Sequence, residues 1–184
     1  MSTVCLLQTL LGHKAWATAE LLDAVEKLDD VQQHDARHTG LRRIQHCHVV
    51  DQIFAAHLVG AAHKFSDDNL PTTSSPQELR TAVTALDRWY LAYVEGLTQQ
   101  SLRQSISFTF TDGEKGLMSR EEMLIHVATH SSYHRGEVGQ LLAQCSISPP
   151  WDTLAVYLHS TQPLRRLQKQ PSLTPSRNRA CASP

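Results

Sequence analysis

The sequence predicts an all-α protein, a four-helix bundle with a short β-hairpin or extended segment before the last long helix. Three observations support this fold class. Apolar residues recur at helical spacing over long stretches without proline. Two stretches open with a capping box, and a short alternating run precedes Asp112-Gly113. A chain of 184 residues is long enough to bury one core without disulfide bonds.

The first two helices are predicted from apolar spacing alone. Residues 3–28 form the first helix, because apolar side chains recur through it and no proline interrupts it. Residues 31–38 are polar and are interpreted as a connector. Residues 39–62 form the second helix, which is apolar on more than one face, as expected of a helix in the centre of a bundle.

Caps and turns predict the later elements. Ser75-Pro76-Gln77-Glu78 combines an N-cap serine, a proline at the first helical position and the glutamate of a capping box, so a third helix runs from there to about residue 98. Ile106-Ser-Phe-Thr-Phe110 and Asp112-Gly113 indicate a strand and a tight turn. Ser119-Arg-Glu-Glu122 opens the fourth helix, to about residue 144, and residues 152–159 add a short last helix.

We expect one domain, residues 1–161, followed by a disordered, low-complexity tail, residues 162–184. Lys plus Arg number 17 against 18 for Asp plus Glu, which gives no electrostatic support for a nucleic-acid or anionic-membrane partner. The N-terminus lacks the pattern of a signal peptide, and no stretch approaches the roughly 20 apolar residues of a spanning helix. We therefore expect a cytoplasmic protein.

Eleven histidines stand out, and His126-Val-Ala-Thr-His130-Ser-Ser-Tyr-His134 is their strongest pattern. Residues four apart lie one above the other on a helix, so an H-x-x-x-H pair can present two imidazoles to one metal ion. The helical wheel puts His134 within the inward apolar stripe, His130 at its edge and His126 well round the side. This geometry favours His130 and His134 as ligands, with His126 as a flanking or supporting residue. The inward stripe comprises Met123, Leu124, Val127, Val138, Leu141 and Leu142.

A second set of histidines, His46 and His48, lies on the predicted second helix. Being two residues apart, they cannot face the same way. The wheel favours His46 only modestly, because this helix is apolar on several faces, and leaves the choice open. Cys47 between them is interpreted as a small buried residue rather than a ligand.

Three imidazoles would leave one coordination position open, which is typical of catalytic rather than structural zinc sites. Since all three ligands are neutral, the ion would keep its charge and could activate a bound water or bind a thiolate.

The sequence resembles the DinB/YfiT-like metal-binding four-helix proteins over about residues 6–158. His13-Lys-Ala-Trp16 resembles the first helix of that family. Residues 44–54 resemble its second helix, in which a ligand histidine precedes an aspartate by five, as His46 precedes Asp51. Residues 126–137 resemble its most specific motif, although Glu137 stands where glutamine is usual. The resemblance therefore implies His46, His130 and His134 as the metal ligands and excludes His48.

The resemblance also implies a divalent ion such as zinc or nickel, and a homodimer in many relatives. Characterised relatives include metal-dependent transferases that use low-molecular-weight thiols such as bacillithiol or mycothiol. We therefore expect a metal-dependent thiol transferase that acts on a small electrophilic substrate. The alternatives are a non-catalytic metal-binding stress-response protein and a metal-dependent hydrolase with Glu137 as base. We interpret Tyr133 and Arg135 as packing or salt-bridge residues rather than as substrate-orienting ones.

Overall fold

The computed structural model describes residues 2–166. Within this range the chain forms six α-helices and one antiparallel hairpin, which confirms the predicted fold class. The elements are α1 (Thr3–Val25), α2 (His34–Leu58), α3 (Pro76–Glu95), α4 (Gln99–Leu102), β1 (Ser105–Thr109), β2 (Lys115–Ser119), α5 (Arg120–Gln144) and α6 (Leu154–Thr161), with a 3₁₀ helix at Pro163–Arg165. None of the described helices has the length and apolarity needed to cross a membrane.

Helices α1, α2, α3 and α5 form the bundle, in which α2 packs on α5 and α1 packs on both α3 and α5. Its core consists of two apolar clusters, one towards the hairpin and one towards the opposite end. On α3, Leu79, Val83, Tyr90 and Val94 are buried at helical spacing, and Leu86 is partly buried against the same core. In α5 the predicted stripe is buried apart from Leu141, which is partly exposed.

The bounds of α2 differ from the prediction at both ends. The helix begins at His34, so most of the polar stretch read as a connector is helical. Arg37 explains this start, because its guanidinium pairs with Asp30 and donates to two carbonyls just beyond α1. The helix ends at Leu58 rather than at residue 62, because Gly60 has a φ of 67° and closes it with a left-handed turn.

Other helix boundaries differ from the predicted ones by a few residues. Helix α1 ends at Val25 instead of residue 28, and α3 ends at Glu95 instead of residue 98. Thr98 caps α4, a single helical turn that was not predicted from the sequence. Of the predicted tail, residues 163–165 form the 3₁₀ helix, and residues 167–184 lie outside the described range.

The hairpin carries aromatic side chains to one end of the bundle. Strand β1 pairs with β2 so that Phe108 lies opposite Gly116. A Cβ at Gly116 would overlap the Phe108 ring, so only glycine lets the ring lie across β2. Gly113 in the connection has a φ of 94°, which agrees with the predicted turn. Phe108 is thereby held in the core beside α2.

A buried ion network joins three helices of the bundle. Lys14 Nζ of α1 lies 2.7 Å from Asp51 Oδ2 of α2 and 2.5 Å from Asp87 Oδ1 of α3. Burial acts to lower the pKa of Lys14, but the two carboxylates outweigh it and raise that pKa well above its ordinary value. Burial raises the pKa of Asp51 to about 6, against the attraction of Lys14. The Tyr90 hydroxyl donates to the Asp51 carbonyl at 2.6 Å, which further fixes α3 against α2.

A second ionic contact holds the segment between α5 and α6 against α1 and α5. Asp152 Oδ2 accepts from Arg135 Nε at 2.6 Å, and Asp152 Oδ1 lies 2.9 Å from His13 Nε2. Burial acts to raise the pKa of Asp152, but the hydrogen bonds from His13 and Arg135 outweigh it and hold that pKa at about 2. The ionised carboxylate therefore stabilises the fold.

We expect Asp152→Asn to lower the free energy of unfolding at pH 7 by on the order of 2 kcal/mol, since one unit of pKa shift is worth about 1.4 kcal/mol. The folded-state pKa lies below the unfolded value of 3.8, so the stabilisation is present above about pH 4 and is lost as the pH falls towards about 2. Denaturant unfolding followed by circular dichroism across this range measures the difference between the wild type and the variant.

Glu20→Gln is the matched control, because this exposed glutamate in the middle of α1 makes no ion pair or side-chain hydrogen bond in the described structure, and we expect its unfolding to follow the wild type. Equal stability of the Asp152→Asn variant and the wild type at pH 7 would contradict the assigned role of Asp152.

Candidate metal centre

The packing of α2 on α5 brings the three histidines predicted as ligands into one cluster. One ring nitrogen from each of His46, His130 and His134 lies within 4.8 Å of the others. His130 Nε2 and His134 Nε2 are 3.1 Å apart. A tetrahedral zinc ion about 2.05 Å from two nitrogens holds them about 3.3 Å apart. The spacing therefore fits a shared divalent ion.

Local folding explains why these side chains converge. The Ser119–Glu122 capping box starts α5 at Arg120 and so sets the rotational phase of that helix. Val127 and Val138 are 0% and 2% exposed and therefore face the core. This orientation of α5 directs His130 and His134, which lie between them in the sequence, towards α2. On α2, buried Val49 and Val50 place His46 on the facing surface.

Two of the imidazoles are oriented by oxygen acceptors. His46 Nδ1 lies 3.2 Å from the carbonyl oxygen of Asp68, and His134 Nδ1 lies 2.8 Å from Glu137 Oε2. Each acceptor favours the tautomer with a proton on Nδ1, which leaves the Nε2 lone pair for a metal ion. Arg43 Nε of α2 forms an ion pair with the same Glu137 oxygen at 2.8 Å. The carboxylate of Glu137 therefore links the two helices that carry the cluster.

The surroundings disfavour a proton on two of the three imidazoles, those of His46 and His130. Burial, followed by the neighbouring imidazoles, lowers the pKa of His130 to about 3. Burial also lowers the pKa of His46, although the nearby Asp68 acts in the opposite direction. His130 Nδ1 is buried and has no hydrogen-bond partner in the described structure. Neutral imidazoles with free lone pairs are the form that binds a divalent ion.

The neighbouring candidates stay outside the cluster, as the sequence predicted. Cys47 is 8% exposed, and burial raises the pKa of its thiol to about 12. Burial lowers the pKa of His48 to about 4, and this residue lines a small cavity beside Lys14 whose wall also includes His134. The His126 ring stacks on His130, with centroids 5.2 Å apart. These positions support the choice of His46 over His48.

Two contacts that support the cluster were not predicted from the sequence. The Asp68 carbonyl and Arg43 support the cluster, and no pattern in the sequence indicates either role. Glu137 was considered as a base for hydrolysis, but its carboxylate is occupied by His134 and Arg43. Its position three residues after His134 on the helix could have indicated this contact. Arg135 is 5% exposed and bound to Asp152, in agreement with a salt-bridge role.

Within residues 2–166, the cluster contains three imidazoles and neither a carboxylate nor a thiolate. A divalent ion bound there would have a coordination position that no described side chain fills. This donor set fits catalytic zinc sites, which keep one position for water or substrate, better than structural sites with four protein ligands.

We expect Glu137→Ala to weaken zinc binding by about 10- to 100-fold, because residues that orient a ligand histidine typically contribute that much to metal affinity. Competition with a chromogenic chelator measures the affinity. Glu137→Gln keeps an acceptor for His134 Nδ1 and should weaken binding less. Glu20→Ala removes an exposed glutamate in the middle of α1 and serves as the control. Unchanged affinity in Glu137→Ala would exclude this supporting role.

The sequence comparison gives the relationship of the chain. Residues 1–170 of the chain match the model of the DinB family. A search of curated proteins and a search of solved structures each returned no significant match. The matched range includes every described helix and the three clustered histidines. The chain therefore belongs to the DinB family.

Proposed function

We propose that this protein binds a divalent metal ion through His46, His130 and His134 and is a transferase that acts with a low-molecular-weight thiol. The observation that carries the proposal is the three-imidazole cluster without an anionic ligand. An ion held only by neutral ligands keeps its full charge, and zinc or nickel is the expected choice because imidazole suits both. Such an ion would lower the pKa of a bound thiol and favour its thiolate at neutral pH.

The residues of the chain would prepare the site for this chemistry. Asp68 and Glu137 orient the rings of His46 and His134, whose side chains are 10% and 12% exposed. The low exposure excludes much of the water that would compete with the thiol. In the reaction, the thiol sulfur forms a bond to an electrophilic carbon and its proton passes to solvent. The leaving group departs with the electron pair of its bond.

Two observations favour this function over its alternatives. Hydrolysis would need a free base, and the carboxylate of Glu137 is already engaged by Arg43 and His134. A purely structural ion would be needed for folding, whereas this bundle has two apolar clusters and a buried ion network that do not include the three histidines. A homodimer stays a prediction of the family resemblance.

We expect the zinc- or nickel-loaded protein to conjugate a thiol to chlorodinitrobenzene at least about tenfold faster than the chelated protein, because a free thiol is only a few per cent thiolate at pH 7. Absorbance of the thioether measures turnover with glutathione, bacillithiol and mycothiol in turn. Activity should return when metal is added back, and it should be absent from His130→Ala. His38→Ala, which removes an exposed histidine of α2, should keep the wild-type rate. Full metal loading with no thiol-dependent turnover in all three assays would contradict the proposal.

A further inference from the structure

A pocket of about 210 Å³ opens beside the histidine cluster. His130 forms part of its wall, and so does Asp68, whose carbonyl oxygen accepts from His46. The pocket therefore begins at the candidate metal centre itself. An engineered apolar cavity of about 150 Å³ binds benzene, so this pocket has room for one six-membered ring and a few linking atoms.

Rings form most of the pocket wall. Three phenylalanines and three histidines make up six of its ten lining residues: Phe54, Phe108, Phe110, His57, His126 and His130. The rings of Phe54 and His126 have centroids 4.5 Å apart, and those of Phe108 and Phe110 are 4.7 Å apart at a steep angle. These distances lie in the range of favourable aromatic contacts, so the wall can accept one more flat ring in the same manner.

The inner part of this wall, Phe54 of α2 and Phe108 of the hairpin, is buried, whereas its rim at Phe110 is accessible. Phe108 is 6% exposed, covers Gly116 and contacts Phe54 with centroids 6.0 Å apart. Phe110 is 46% exposed, although its edge rests on Phe108. One face of the rim is thus available to a bound molecule while the inner rings are already in place.

The charge of the wall selects against an anionic group. Asp68 is the one lining residue with an acidic or basic side chain apart from the histidines, and that side chain is 41% exposed. Val50 and Ile53 complete the inner wall with apolar surface. An anionic group placed between these rings would lose its hydration without gaining a partner, and the Asp68 carboxylate would repel it. An uncharged ring would lose nothing comparable and would bury apolar area.

We infer that this pocket binds a flat, uncharged ring of the electrophile, so that the substrates are small molecules with an aryl or benzyl group at the reacting carbon. The inference rests on the proposed function, because it assigns the thiol to the histidine cluster and the ring to the pocket. With the ring against this aromatic wall, the attached carbon can reach His130, which lines the same pocket. The thiol sulfur bonds to that carbon, the thiol proton passes to solvent, and the leaving group departs with its electron pair.

Cobalt(II)-loaded protein allows the pocket to be tested by binding rather than by turnover. A thiolate bound to cobalt produces an absorption band, which gives the affinities of phenylmethanethiol and ethanethiol separately. We expect phenylmethanethiol to bind the wild type at least about tenfold more tightly, because its ring reaches the aromatic wall. Phe110→Ala should reduce that preference about three- to tenfold and leave the affinity for ethanethiol unchanged. Leu117→Ala, an exposed position of the same hairpin outside the pocket, should leave both affinities unchanged.

Equal affinities of the wild type for the two thiols would overturn the ring pocket and leave the metal-thiol function standing. Absence of the thiolate band with either thiol, on fully loaded protein, would instead overturn the proposed function. A measurement on the metal-free protein then decides the ring pocket independently. Saturation-transfer NMR with phenylmethanol should show transfer to its ring protons in the wild type and in Leu117→Ala. Loss of that transfer in Phe110→Ala supports the inference, and no transfer in the wild type overturns it.

Discussion

The candidate site depends on one packing relationship, the register of α2 against α5. His46 comes from one helix and His130 and His134 from the other, so a shift of one helical turn, about 5.4 Å, would separate them. Apolar side chains of both helices meet in each of the two core clusters, which holds the two helices together over much of their length. The ion pair between Arg43 and Glu137 then adds a directional contact at the level of the histidines.

The protein separates the groups that hold the fold from those available for chemistry. Lys14 lies between two carboxylates of neighbouring helices, so all three charges are occupied in a place that water hardly reaches. Removing one partner from such a network leaves a buried charge uncompensated, which is costly. The histidine cluster differs, because burial lowers the pKa of His46 and His130, and no described carboxylate is among the three side chains that converge there. An ion placed there gains ligands without breaking a contact on which the bundle depends.

The sequence predicted the features that follow from local rules. Capping boxes at Ser75 and Ser119 fixed the starts of α3 and α5, and helical spacing selected His130 and His134. The polar start of α2 was missed, because Arg37 stabilises it through carbonyls at the end of another helix. Helical geometry left the choice between His46 and His48 open, and only the family resemblance decided it. The aromatic pocket was not predicted at all, because its wall joins α2, α5 and the hairpin, which only the tertiary fold brings together.

Metal content measured by elemental mass spectrometry is the direct test of whether His46, His130 and His134 bind a metal ion. The purified wild type, His46→Ala, His130→Ala and His48→Ala are compared after incubation with zinc or nickel and removal of the excess. We expect about one ion per chain in the wild type and in His48→Ala, and its loss from the other two variants, because two remaining imidazoles hold an ion far more weakly. A wild type without bound metal, or equal metal content in all four proteins, would contradict this expectation.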